Sequence, residues 1–476
     1  DVVYKHAAPA LPLAQRMAVA ARGAHTVVVG EDGSVFAFGI NDSGQLGTGD
    51  DDTRLTPTRL TELPTLVRQV AAGYEHTGIV TEAGDLLMCG GGRFGRLGLG
   101  NLANWTTPTL LARAVFDGEA VLMVACGYDH TVVATEGGGV FTFGEGGFGQ
   151  LGHGDEEKQL VPRRVPAAAF NGERVVMVAA GGAHTVALSE AGHVFTWGWG
   201  EFGQLGHGDR EDQWAPRQVE AGRFGGERVV FVAAGGDHTV AATAGGRLFT
   251  WGACVYGQLG HGDTVARLVP TLARGPTEPA LGGSTVVMAA CGLGHTLVVT
   301  QDGALWACGC AGTGQLGLND VGYLASRHAF ERVGAGVFGG ARVVAAAAGL
   351  FHSAAVTEDG ALWTWGHGDG RLGHGDWDQR LVPTRVPATS LQGTRIGRCR
   401  PLPTDHAVAL AMGTHSRLGA ASPVRVLGGE VSLLTMIAGF SGAWVGGVAG
   451  RSEGLVRLLG GVTANPAHRY QMETVG

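Results

Sequence analysis

Four His-x-Asp pairs, at His153/Asp155, His207/Asp209, His261/Asp263 and His374/Asp376, are the residues here whose types most obviously could do chemistry. An imidazole two residues from a carboxylate could ligate a metal or share a proton as an acid–base pair. A second set of histidines stands in His-Thr or His-Ser pairs at His25, His76, His130, His184, His238, His295 and His352, with a lone further candidate at His406. Glycine-rich runs such as GEGGFGQLG, from Gly144 to Gly152, contain the Gly-x-Gly-x-x-Gly spacing of a phosphate cradle. All three signals recur along the chain, whereas a catalytic histidine is normally singular. The dinucleotide fingerprint also requires a helix after its glycines, and no helical pattern follows here. No Gly-x-Ser-x-Gly elbow and no locally supported Cys/His nucleophile pair is present. The sequence therefore predicts no catalytic residue, no metal site and no cofactor.

The elements that carry these histidines explain their number. Successive His-Thr pairs are 51, 54, 54, 54, 57 and 57 residues apart, the mark of an array of supersecondary units. Fourteen residues after each histidine stands a glycine: Gly39, Gly90, Gly144, Gly198, Gly252, Gly309 and Gly366. An aromatic residue precedes it in five copies, Phe38, Phe143, Trp197, Trp251 and Trp365. Gly-Gln-Leu-Gly or Gly-Arg-Leu-Gly follows, and thirteen residues beyond its start six copies place a proline. Each unit reads as four short strands. Val175–Ala180 is an apolar run suited to a strand buried on both faces, and His184–Leu188 and His193–Trp197 follow. Pro162–Val165 illustrates the edge-like fourth strand. The leucine between the paired glycines is expected to plug the space between units. On this reading the strand histidines are straps between neighbouring strands, and the His-x-Asp pairs are turn chemistry distributed around a ring.

Composition agrees with a folded, turn-rich chain. Glycine accounts for 84 of 476 residues and proline for 17, and 45% are hydrophobic. The net charge of −8 is spread without long single-sign runs, so no basic face for direct nucleic-acid binding is advertised. No uninterrupted apolar stretch of about 18 residues suggests a membrane span. The seven cysteines, Cys89, Cys126, Cys254, Cys291, Cys308, Cys310 and Cys399, contain no Cys-x-x-Cys pair. They read as reduced core residues, which predicts an intracellular setting, cytoplasmic or nuclear.

The series HT…G…WG…GQLGHGD…P, strongest in GGAHTVALSEAGHVFTWGWGEFGQLGHGD at Gly181–Asp209, resembles the RCC1 (regulator of chromosome condensation) repeat family over roughly Met17 to Leu410. The resemblance implies an all-β fold, a seven-bladed β-propeller over residues 17–410. Residues 1–16 form an N-terminal extension, and 411–476 a degenerate repeat and a C-terminal extension. Propellers of this family mix N- and C-terminal strands in one blade, so the eighth unit at Thr404–Val426 is expected to complete the closing blade. Helical spacing of Val431, Leu434, Ile437 and Ala438 predicts a helix over Glu430–Phe440, and a second over Glu453–Leu459. They are expected to cap a propeller face, with a docking helix for a partner as the alternative.

For function the sequence favours a protein-interaction scaffold, because a propeller offers two loop faces held by rigid blades. Loop residues that break the repeat consensus are the candidate contacts: Arg93, Phe94, Trp105, Trp214, Tyr256, Tyr323 and Trp377. Covering the seams between blades is the competing role for them. The resemblance also implies guanine-nucleotide exchange on a small Ras-like GTPase, by loops and an inserted β-wedge. The strict 54-residue period from His76 to His238 leaves no room for such an insertion there. One similar protein, a plant UV-B receptor, uses clustered tryptophans in a Gly-Trp-Arg-His-Thr motif. The matching positions here are Tyr74-Glu75, Tyr128-Asp129, Gly182-Ala183, Gly236-Asp237, Leu293-Gly294 and Leu350-Phe351, none of them Trp-Arg. A propeller fused to a ubiquitin-ligase or kinase domain is a third class, and these residues contain no catalytic domain of either type.

Overall fold

Each repeat builds one four-stranded antiparallel sheet. In the unit that begins at Val175, strands Val175–Ala180, His184–Ser189, Val194–Gly198 and Gln213–Gln218 pair in chain order. Every residue of the second and third strands is buried, while the fourth is partly exposed along its length. Neighbouring sheets cover both faces of the inner strands, which is why β-branched and aromatic residues fill them without polar alternation. The glycine fourteen residues after each histidine lies at or one residue before the end of the third strand, at φ between 100° and 117° in all seven copies. A Cβ on Gly198 would lie 2.9 Å from the His184 Cα, so both conformation and space demand glycine.

The fourth strand differs from the sequence reading. It runs from Gln159 to Arg164 rather than starting at Pro162. Its register against the third strand shifts between Thr142↔Arg163 and Gly144↔Gln159. Pro162 lies within that irregularity on the sheet edge, where the ladder does not need an N–H from it. A short 3-10 turn then leads to the next blade. Phe170, in the turn Ala167–Phe170, packs edge-on to Phe195 and Trp197 at centroid distances of 5.5 and 5.9 Å. Phe224 repeats this against Phe249 and Trp251.

This computed structural model describes residues 18–61, 63–64, 66–273, 280–320, 322 and 325–397. Among them seven such sheets form a seven-bladed β-propeller, with first strands touching around a closed circle. Each described sheet comes from one continuous stretch of chain, and none mixes the two ends. Blade seven, Val343–Arg385, meets blade one directly. The Glu31 N–H donates to the Arg395 carbonyl at 2.9 Å, and the Gly397 N–H to the Val29 carbonyl at 2.8 Å. The four strands of every blade are thus in place before Thr404 is reached. The extension at 1–16, the unit at Thr404–Val426 and the helices expected at Glu430–Phe440 and Glu453–Leu459 lie outside the described residues. Among the described residues no helix is long and apolar enough to cross a membrane.

Candidate interaction face

The strand histidines form one closed belt. Each imidazole Nε2 meets the Thr or Ser hydroxyl of the next blade, from His25–Thr77 round to His352–Thr26, at 2.9 to 3.1 Å. Every such hydroxyl also donates to the carbonyl of the Gln or Arg in a Gly-x-Leu-Gly turn, at 2.7 to 3.2 Å. A hydroxyl has one proton, so the imidazole must be the donor to it, which fixes the neutral Nε2–H tautomer. The straps therefore join neighbouring blades, not neighbouring strands as the sequence suggested. Nδ1 has no hydrogen-bond partner in any of the seven. In six blades it lies against a glycine three residues earlier, such as Gly73 or Gly181, where a Cβ would overlap the ring. Burial pushes His25, His130 and His238 down to about 3 and His295 to about 4, and holds His76, His184 and His352 well below the ordinary histidine range. Such groups stay neutral and do not exchange protons near pH 7.

The His-x-Asp pairs serve the turns. His153 Nε2 bonds the Thr142 hydroxyl at 2.9 Å, and that hydroxyl donates to the Leu151 carbonyl at 2.6 Å. Asp155 accepts from the Glu157 N–H at 3.1 Å and from Arg163 at 3.0 Å. The same arrangement recurs at His207, His261 and His374. Each pair belongs to a different blade, and among the described residues no three His, Cys, Asp or Glu side chains gather to hold a metal ion. The leucine plugs Leu46, Leu97, Leu151, Leu205, Leu259, Leu316 and Leu372 are all buried.

The most exposed aromatic residues gather at one end of the propeller. Two loops per blade open there: a short one before each belt histidine and the long one after the third strand. Tyr74, Phe148, Tyr256, Phe351 and Trp377, each 37 to 56% exposed, are the most exposed aromatic residues among those described, and all five stand on these loops. Tyr74 packs on Tyr128 at 5.6 Å, Phe148 on Trp199 at 5.6 Å, and Trp199 on Phe202 at 5.2 Å. Just below, Arg22 reaches across the channel to the Ala180 carbonyl at 2.6 Å, with its guanidinium 5.3 Å from the Tyr128 ring centre. Burial raises the carboxyl pKa of Asp237 on the same rim, with Arg22 opposing the shift. Acidic clusters stand on the long loops of this end at Asp50-Asp51-Asp52, Asp155-Glu156-Glu157 and Glu211-Asp212, just before the outer strands. The opposite face mixes its signs, with Arg174, Arg223, Arg228 and Arg247 among Glu173, Glu190 and Glu227.

Four of the seven residues singled out from sequence share this face: Arg93, Phe94, Tyr256 and Trp377. Arg93 lies 4.4 Å from the Phe94 ring centre, with Phe94 itself at φ +60°. Tyr256 lies over Gly294 of the next blade, where a Cβ would come within 2.7 Å of its ring. Trp105 and Trp214 are half-buried at the rim, near the start of outer strands. Trp214 lies over Gly149 of the preceding blade, where a Cβ would come within 2.8 Å of its ring, and so covers a seam. Tyr323 lies outside the described residues. Sequence reasoning did not single out the exposed Tyr74, Phe148 and Phe351, although two of them occupy the variable positions just before the belt histidines. It also missed Arg22, which nothing in the repeat pattern marks as spanning the channel.

With the geometry described, comparison with known proteins decides the family. The RCC1-like domain model matches residues 3–336, and RCC1 repeat models match residues 343–370 and 359–397. The chain belongs to the RCC1-like domain family. Among its relatives, the ultraviolet-B receptor UVR8 of Arabidopsis thaliana is 36% identical over 382 residues, covering 79% of this chain and 82% of that protein. Human E3 ubiquitin-protein ligase HERC2 is 34% identical over 377 residues, which is 78% of this chain but 8% of the ligase. The bovine secretion-regulating guanine nucleotide exchange factor is 33% identical over 298 residues, covering 58% of this chain and 63% of that protein. RCC1-like propellers thus occur in binding, exchange and ligase proteins.

Proposed function

We propose that this RCC1-like propeller is a protein-interaction module that seats its partner on the mouth of the channel. The observation that carries this reading is the placement of all five most exposed aromatics on one loop face, at positions where the repeats diverge. Exposed aromatic residues at the centre of a rigid surface, with a polar rim, are what interface hot spots use. The test is capture of partners from native extract in EDTA, with the whole chain as bait and a variant carrying Tyr74→Ala, Tyr256→Ala, Phe351→Ala and Trp377→Ala as control. Partners retained by the wild type and lost by the variant support the reading. Equal recovery by both overturns it.

Nucleotide exchange is the second reading, favoured by the likeness to the bovine exchange factor. EDTA removes Mg²⁺ and traps exchange factors on nucleotide-free GTPases. A small GTPase held in EDTA and released by GTP with Mg²⁺ would make exchange the function of the same face. Light sensing is not carried over from the UV-B receptor. Trp197, Trp251 and Trp365 are fully buried, and their indole N–H groups donate to the Gln150, Gln204 and Gln315 carbonyls at 2.9 Å.

A further inference from the structure

Two seams of the ring replace the usual glutamine of Gly-Gln-Leu-Gly by arginine, and the two arginines end differently. In the other five blades the glutamine Oε1 accepts a backbone N–H two residues earlier at 2.9 Å, as Gln150 does from Phe148. Arg96 satisfies all three of its nitrogens. Nη2 meets Glu75 at 2.6 Å, Nη1 meets Asp129 at 2.8 Å, and Nε meets the Gly91 carbonyl at 2.7 Å. Glu75 and Asp129 are the residues just before the belt histidines of its own and the next blade.

Arg371 occupies the equivalent place between blades seven and one, its side chain 7% exposed. Nη2 meets Asp369 at 3.2 Å, while Nε and Nη1 have no hydrogen-bond partner among the described residues. The positions that supply carboxylates to Arg96 hold Phe351 and Ala24 here, and neither side chain can accept a hydrogen bond. A buried guanidinium with unmatched N–H groups is costly and remains charged at any physiological pH.

We propose that Arg371 is a receptor for one carboxylate, brought by an aspartate, glutamate or chain end of a protein seated on the channel mouth. The Arg96 site shows that this guanidinium position holds two carboxylates. Arg371 has only Asp369, so one more gives the same local charge. The ligand's seat is beside Ala24, at the buried Nη1, the counterpart of the Arg96 nitrogen that meets Asp129. Phe351 and Tyr74 are exposed on the short loops of the same face. A monoanion suits the place better than a phosphate dianion, because the surrounding face is acidic.

That the carboxylate comes from a docked protein rests on the interaction reading. The receptor itself is tested without a partner, by titrating the whole chain with acetate at constant ionic strength. Arginine Nε–H signals are followed by NMR and assigned from their loss in Arg371→Gln and Arg96→Gln. The glutamine in Arg371→Gln is what five other blades carry, so the variant is expected to fold. The Arg371 signal should move saturably at millimolar acetate while Arg96 stays still. Acetate should raise the melting temperature over equal chloride in the wild type and not in Arg371→Gln. Ala24→Asp, which supplies the missing carboxylate, should abolish the acetate response. An Arg371 signal that does not move, or that moves without saturating, overturns the site. Sub-millimolar acetate affinity would overturn the docked-protein source and assign a free carboxylate.

Discussion

His76 and the pair before it, Tyr74-Glu75, are neighbours in the chain and opposites in the molecule. The histidine is fully buried, repeated in every blade and bonded in the same way each time. Tyr74 is exposed, and its counterparts change from Tyr to Gly to Leu around the ring. The belt must be uniform, because each blade is both donor and acceptor of the same strap and one odd copy would leave a buried polar group unmatched. The exposed ring of Tyr74 and its counterparts take part in no such repeated strap, so their identity is free to change. Uniformity therefore marks what holds the propeller together, and divergence marks what it presents to others.

The strongest way to break the belt is acid. Burial holds four of its histidines down to about 3 or 4 and the other three well below the ordinary histidine range, against about 6.5 in the unfolded chain. The unfolded state therefore binds more protons below pH ~6.5. The stability these groups confer is fully present above that pH and is lost as pH falls toward their native values. Each contributes up to about 1.4 kcal/mol per pH unit, so seven approach ~10 kcal/mol per unit near pH 5. Denaturant melts at successive pH values should show this slope and unfolding near pH 5, well above where carboxylates alone act. A flat profile down to pH 4 would mean that the belt does not hold.

Next in size is crowding the belt. Gly181→Ala places a methyl group into the His184 imidazole and should cost roughly 3 kcal/mol in urea melts. Trp197→Phe, which leaves the Gln150 carbonyl without the indole donor, should cost about 1–3 kcal/mol. At the mouth the expectation reverses. Trp377→Ala or Tyr256→Ala should change stability by no more than about 0.5 kcal/mol while weakening partner binding tenfold or more. A stability loss comparable to that of Gly181→Ala would place these rings among the seam residues.

The fold was legible because its requirements repeat. Gly198, Leu205 and His184 recur at fixed offsets, and seven copies of one local demand leave little choice of architecture. The direction of the strap was not legible. A period identifies equivalent positions without saying whether His184 faces Trp197 of its own sheet or Thr239 of the next, and burial between sheets settles it in favour of Thr239. The 3-10 turns ending at Phe170 and Phe224 escaped notice because a single apolar residue in a linker carries no periodic signal. For the mouth, Tyr256 and Trp377 stood out as departures, whereas Tyr74 and Phe351 occupy positions that no two blades need fill alike. Arg22 shows the limit most clearly, since its partners at Ala180 and Gly235 are more than 150 residues away.

The most direct test of the division between belt and mouth is hydrogen exchange on the whole chain with and without the partner that capture identifies. New protection is expected at 73–75, 127–129, 253–258, 349–351 and 367–379. The loops at 165–174 and 219–228 on the opposite face should be unchanged. Protection confined to those opposite loops would contradict the account and place the partner on the other side of the ring.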